Sequence, residues 1–131
     1  MSRPPKKKLG PQMQNLNEFG KFIVALGGIF RLNSRQVAEL AGIDPSTLYK
    51  AAKVGGTMSR EKVQQAWNVF VRLSPVDIDG ELEWRFFNSA GYATDARRDE
   101  SVVFLEEWMA SPLANQLAHY FEQREKDIEE E

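Results

Sequence analysis

Between positions 34 and 53 the chain carries Ser34, Arg35, Gln36, Pro45, Ser46, Thr47, Tyr49, Lys50 and Lys53. Hydroxyls can donate to phosphate oxygens and accept from base edges, Lys50 and Lys53 place fixed positive charge on long stems, and Arg35 and Gln36 can make paired hydrogen bonds. On one surface, such a set suits a polyanion with hydrogen-bonding edges. Covalent chemistry has less to draw on. Without Cys there is no thiolate nucleophile, disulfide or zinc–thiolate site. His119, the sole histidine, stands beside Tyr120-Phe121 with no partner at metal or triad spacing. The run Asp77-x-Asp79-Gly80-Glu81-x-Glu83 opens like a calcium loop, but glycine falls at the fourth position rather than the sixth, and Asn88 stands where the closing Glu is needed. A solvated acidic turn is expected there. Gly27-Gly28 and Gly55-Gly56 lack the Gly-Lys-Ser/Thr ending of a phosphate loop. No nucleophile–base pair is present, so neither an enzyme, a metal nor a cofactor is expected.

The elements that must position those residues follow from spacing. Phe19, Phe22, Ile23, Leu26 and Phe30 recur at helical intervals, with Asn17 as N-cap and Gly27-Gly28 weakening the helix end. Asn33-Ser34 announces a short helix, Arg35-Gln36-Val37-Ala38-Glu39-Leu40-Ala41, which Gly42 stops. Asp44-Pro45, a cap and a first-turn proline, starts a third helix over residues 45–53, with Leu48 and Ala51/Ala52 inward. Val54-Gly55-Gly56 breaks it, Ser59 caps a fourth helix with Val63, Ala66, Trp67, Phe70 and Leu73 on one face, and Pro75 ends that. Leu82, Trp84 and Phe86 fit a strand by alternation, and Leu82 and Phe86 fit a helix by their interval of four. Residues 88–95 read as loop. Val102, Leu105, Trp108 and Met109 mark a helix, and Ser111-Pro112 restarts another bearing Leu113, Leu117, Tyr120, Phe121 and Ile128.

The net charge of −2 conceals a division along the chain. Residues 1–73 hold twelve Lys/Arg against four Asp/Glu, a net +8, and residues 74–131 hold five against fifteen, a net −10. A polyanion-binding half joined to an acidic half is the reading this suggests. Residues 1–15, with Arg3 and Lys6, Lys7 and Lys8, read as a flexible basic arm, either solubilising or following a nucleic-acid backbone into a minor groove. The longest uncharged apolar run, residues 22–30, is far short of the roughly 20 residues a membrane span needs, and no apolar signal segment follows the basic start. A cytoplasmic protein with no membrane partner is expected.

Within residues 34–53, Ala38 is small where a second helix must cross, Gly42 lets the chain reverse, and Ile43 and Leu48 hold the crossing from beneath. Val37-Ala38-Glu39-Leu40-Ala41-Gly42-Ile43 followed by Ser46-Thr47-Leu48 resembles the helix-turn-helix of the Xre/Cro-like phage-repressor family, over residues 17–74. That family often pairs an Arg late in its first helix with a Glu late in its reading helix; the matching places here are near Gly27 and Ala52. Thr47-Leu48-Tyr49 is also similar to the end of the TetR-like helix-turn-helix, whose family needs a longer ligand-binding domain than the 57 residues after Ser74 supply.

The resemblance implies an all-α, lambda-repressor-like compact helical bundle, with a mainly helical C-terminal extension. Residues 16–74 would bind DNA, and the acidic, aromatic-rich residues 75–131 would dimerise, bind a partner or close over the N-terminal helices. Carried over position by position, Pro45, Ser46, Thr47, Tyr49 and Lys50 face the major groove of double-stranded DNA, while Ser34, Arg35, Gln36 and Lys53 meet phosphates. The implied function is that of a sequence-specific, repressor-type transcriptional regulator acting as a homodimer. With no Arg, Asn or Gln in the reading helix, direct readout is modest and shape readout or dimerisation supplies the rest. The alternative is an antitoxin- or adaptor-type interaction module whose acidic C-terminal half captures a protein partner.

Overall fold

Short polar residues just ahead of apolar-periodic runs begin nearly every helix of this chain. The computed structural model describes residues 15–92 and 96–130. Its helices are α1 (Glu18–Phe30), α2 (Ser34–Ala41), α3 (Pro45–Ala51), α4 (Arg60–Leu73), α5 (Gly80–Ser89), α6 (Arg98–Met109) and α7 (Pro112–Glu130). The protein is all-helical, with no strand among the described residues. Asn17, Asn33, Asp44, Ser59 and Asp79 each accept a hydrogen bond from a backbone N–H in the first turn of the helix that follows. Such a cap satisfies one of the donors that a helix start leaves open, and is worth about 1 kcal/mol.

Phe86 of α5 sits at the centre of the core and is fully buried. Its ring centroid lies 5.4 Å from that of Phe19, 6.1 Å from Phe22, 5.1 Å from Trp67 and 6.4 Å from Phe70. Phe30 of α1 meets Phe70 edge to face at 5.1 Å and lies tilted over Phe121 of α7 at 4.6 Å. Leu82, Phe87, Leu105, Trp108 and Leu117 of the acidic half therefore join the same buried cluster as Phe22, Val37, Leu48 and Val63. Of the C-terminal aromatics, Phe86, Phe87, Trp108 and Phe121 pack over the N-terminal helices, while Trp84 and Tyr120 remain exposed. Arg31–Glu125 (2.7 Å) and Arg98–Glu18 (3.8 Å) bridge the basic and acidic halves at the surface.

α1 runs through Gly27-Gly28 to Phe30, the last apolar position of its expected face, with Arg31 as a left-handed cap at φ 62°. Ile29 and Phe30 are buried there, and Gly27 is needed because the Leu32 carbonyl passes where a Cβ would stand. Two local expectations change. The third helix stops at Ala51 rather than reaching residue 53. The loop expected over residues 88–95 starts later, because Asn88 and Ser89 are helical and buried. Asn88 Nδ2 donates to the Ala96 carbonyl (2.9 Å) and Asn88 Oδ1 accepts from the Ser101 hydroxyl (2.6 Å), so partners eight and thirteen residues onward hold it in the helix. Residues 93–95 lie outside the described residues. Leu82, Trp84 and Phe86, which alternate as a strand would while Leu82 and Phe86 also fit a helix, lie on α5.

Of the arm expected at residues 1–15, Arg3, Lys6, Lys7 and Lys8 lie outside the described residues. Asn15 is left-handed at φ 62°, its carbonyl accepts from Val54 N–H (2.8 Å), and Leu16 bridges to Lys53. The described chain thus begins tied to the segment that follows α3.

Candidate nucleic-acid interface

The α2–α3 segment rests on four buried side chains, Val37, Ala38, Ile43 and Leu48, all at most 4 % exposed. Gly42 makes the reversal at φ 76°, a conformation that disfavours a Cβ, and its N–H bonds the Glu39 carbonyl while Ile43 N–H bonds that of Ala38 (2.9 Å). Leu48 and Ala51 turn α3 inward. Residues three and four apart share a helix face, so Ser46, Tyr49 and Lys50 lie together on the opposite side, and all three are exposed. Pro45 and Thr47 flank them half-buried.

The far end of α3 is held by a residue distant in sequence. The Asn17 side-chain amide donates to the carbonyls of Ala51 (2.8 Å), Lys53 (2.8 Å) and Gly56 (3.3 Å), and Asn17 N–H donates to Ala52 (2.9 Å). Its Oδ1 meanwhile accepts from Gly20 N–H at 2.7 Å. One side chain therefore caps the start of α1 and satisfies carbonyls that the end of α3 leaves open. The approach is close: a Cβ on Gly20 would overlap the Ala52 carbonyl, and one on Gly56 would overlap that of Lys50. In sequence Asn17 announces only its cap, because its other partners lie 34 to 39 residues away.

Ser34, Tyr49 and Lys53 come together, lining one shallow depression with Leu16 and Ala52. The Lys53 ammonium lies 4.7 Å from the centre of the Tyr49 ring, a cation–π contact that steers the charge along the exposed face. Arg35 and Gln36 are exposed on α2 but do not line this depression. Gln36 is committed to a capping box: its Oε1 accepts from Asn33 N–H (2.8 Å), and its own N–H donates to Asn33 Oδ1 (2.9 Å). Arg35 pairs with Glu39 at 3.2 Å, an exposed contact that an incoming phosphate can displace. The Ser46 hydroxyl donates to the Asp44 carboxylate, which also accepts from Ser46 N–H (3.1 Å).

Asp44 is the residue that reading the set of donors passes over. Its carboxyl is held below its ordinary range, first by the Ser46 hydroxyl and then by the Ser46 and Thr47 N–H groups and the Lys50 charge, with partial desolvation acting the other way. A negative charge therefore sits at the start of α3 beside Ser46, within the otherwise cationic and hydroxyl-bearing face. The carboxylate and the Ser46 hydroxyl occupy each other, which leaves Tyr49 and Lys50 as the exposed side chains of α3 best able to meet an external anion.

Among the described residues, no cluster of His, Asp or Glu could hold a metal ion, and no helix is long and apolar enough to cross a membrane. Comparison with known protein families, curated proteins and solved structures gives no match to this chain.

Proposed function

We propose that this protein binds double-stranded DNA through α2 and α3 and acts as a cytoplasmic, sequence-specific, repressor-type transcriptional regulator. The observation that carries this reading is the two-sided build of α3. Leu48 and Ala51 anchor it, while Ser46, Tyr49 and Lys50 face outward, with Ser34 and Lys53 beside Tyr49. A short helix clamped at its far end by Asn17 presents these groups rigidly, as groove recognition requires. The role of α2 in this reading is to meet phosphates through Ser34 and Arg35 at its N-terminal end.

Lys50 is the main candidate for contact with guanine acceptors, and Tyr49 for contact with a base or a phosphate. With Gln36 and Ser46 hydrogen-bonded inside the protein, few side chains remain for direct base readout. Specificity then depends on the shape of the DNA and on pairing two protomers across a two-fold site. Neutralising about 4–6 phosphates per protomer gives a slope of log affinity on log salt of about −4 to −5. The test is fluorescence anisotropy with pooled random duplexes, comparing the native chain with the double variant Lys50→Ala, Ser46→Ala. A salt-dependent affinity that the double change weakens at least tenfold supports the reading. Affinity indifferent to salt, or to the double change, overturns it.

A further inference from the structure

Two cavities of about 440 and 290 Å³ lie between α4 and the chain that leads into and along α5, and they share Gln64 and Glu83. The larger is a groove that runs past Asp77. The smaller is walled by three aromatic side chains, Trp84, Phe87 and Tyr92, and a separate contact fixes each of them. The Arg85 guanidinium lies 4.5 Å from the Trp84 ring centre and 5.3 Å from that of Phe104, and Glu81 braces it at 3.3 Å. Arg85 Nε and Nη1 are out of solvent and make no hydrogen bond, so the two rings are what chiefly engage this cation. Phe87 is buried beneath the Arg60 guanidinium, 5.2 Å from its ring centre. The Tyr92 hydroxyl donates to the Met58 carbonyl at 2.7 Å, which ties the end of α5 to the approach to α4. Trp84 is held in this way and is still 39 % exposed, so the wall is fixed in place and open to a ligand.

Opposite charges border this cavity. Arg60 and Glu83 both line it, both are exposed, and neither forms an ion pair with the other or with another described residue. Gln64, on the same lining, donates its side-chain amide to Asn68 at 2.9 Å, which leaves its Oε1 as an acceptor. A bare cation placed here meets Arg60, a bare anion meets Glu83, and an uncharged ligand answers neither charge. A zwitterion answers both. We propose that the cavity binds a free α-amino acid with an apolar side chain. Its carboxylate lies on Arg60 and its ammonium on Glu83 and the Gln64 Oε1, in charge-assisted hydrogen bonds. Its side chain lies against Trp84 and Tyr92. A volume of about 290 Å³ falls just below the roughly 300–1,000 Å³ of drug-sized ligand sites, which suits one amino acid and leaves no room for a nucleotide. Because Arg60 belongs to α4 and Glu83 to α5, the bound amino acid joins the two helices. The inference does not depend on whether α3 reads DNA.

The test uses the full chain, no nucleic acid, and L-phenylalanine and L-leucine as probes. Trp67 and Trp108 are buried and Trp84 is exposed, so tryptophan emission, excited where phenylalanine does not absorb, reports on the cavity. At least one of the two amino acids should change that emission saturably, with a midpoint at or below about 1 mM. Phenethylamine lacks the carboxylate and 3-phenylpropionate lacks the ammonium, and each should bind at least about tenfold more weakly than L-phenylalanine. Arg60→Gln should abolish the advantage of L-phenylalanine over phenethylamine, and Glu83→Gln its advantage over 3-phenylpropionate. The analogue comparison needs no variant, so it stands whatever the substitutions do to folding. No saturable response to either amino acid up to about 20 mM overturns the proposal. So does equal binding of L-phenylalanine and either analogue, which marks a site for a simple organic ion, and so does a response that survives Trp84→Phe, which places the probe elsewhere.

Discussion

Replacing Asn17 by Ala removes two functions at once, and the geometry separates them. The cap on α1, made by Oδ1 at 2.7 Å from Gly20 N–H, is worth about 1 kcal/mol. The amide clamp on the Ala51, Lys53 and Gly56 carbonyls is buried at the Ala51 end, and stripping the donor from such carbonyls costs about 1–3 kcal/mol. Asn17→Ala should therefore lose about 2–4 kcal/mol, a fall in Tm of roughly 6–16 °C for a chain of this size. Asn17→Ser keeps a capping oxygen and removes the amide, so it should lose about 1–3 kcal/mol. Asn17→Asp keeps the cap too, but turns a carboxylate oxygen toward three carbonyl oxygens and should be worse than Ser. Urea denaturation of the three variants beside the native chain gives the order native, Ser, then Ala and Asp. If Asn17→Ser were within about 0.5 kcal/mol of native, or Asp as stable as Ser, the clamp would contribute nothing and the argument that it positions α3 would fail.

Asp44 makes two predictions. Because its folded pKa is depressed, its contribution to α3 is complete above the unfolded value of about 3.9 and disappears as pH falls through the folded one. Ser46→Ala should move the Asp44 midpoint back up toward 3.9, read by carboxyl NMR titration, and an unchanged midpoint would remove Ser46 as the cause. Under the proposed function, Asp44→Asn keeps a capping oxygen and deletes a negative charge facing phosphates, so DNA affinity at low salt should rise about two- to fivefold, while the folded state loses the contribution that the charged carboxylate makes near neutral pH. Phe86→Ala should cost about 3–5 kcal/mol by urea melt, since the ring touches α1 and α4 together. For the same reason a fragment ending at Ser74 should show no cooperative unfolding transition. Gly56→Ala should destabilise by more than about 1 kcal/mol, because its Cβ would overlap the Lys50 carbonyl and backbone cannot swing aside as a side chain can. A neutral Gly56→Ala in the same melt would show that the loop after α3 yields easily.

Much of this architecture is written in short-range chemistry. Asn17, Asn33, Asp44 and Ser59 mark helix starts because a cap needs only a side chain and the next three backbone amides. Gly42 and the buried positions Val37, Ala38, Ile43 and Leu48 were legible in the same way, through turn chemistry and helical spacing. The candidate residues Ser46, Tyr49 and Lys50 share a face for that reason also, since their spacing alone dictates it. What local pattern could not carry is partnership. Leu82, Trp84 and Phe86 suit a strand and Leu82 and Phe86 also a helix, and burial of Phe86 among rings from α1 and α4 accompanies the helical outcome. Asn88 and Ser89, polar residues that read as loop, are helical because Ala96 and Ser101 return to bond Asn88, while Ser89 bonds the Phe86 carbonyl one turn back.

The donor set of residues 34–53 was readable as a type of chemistry, but its availability was not. Whether Gln36 and Ser46 face outward free or are bound by Asn33 and Asp44 depends on rotamers, and a list of residue types does not contain them. By itself, the sequence determined where α1 to α4 and α7 begin, which of their faces are apolar and which sign of charge each half carries, because each depends on neighbours within a few residues. Only the tertiary structure decided that Asn17 ties α1 to α3, that the acidic half closes the core, and that Asp77 and Glu83 line one groove beside α4. Each of those depends on groups brought together from tens of residues apart.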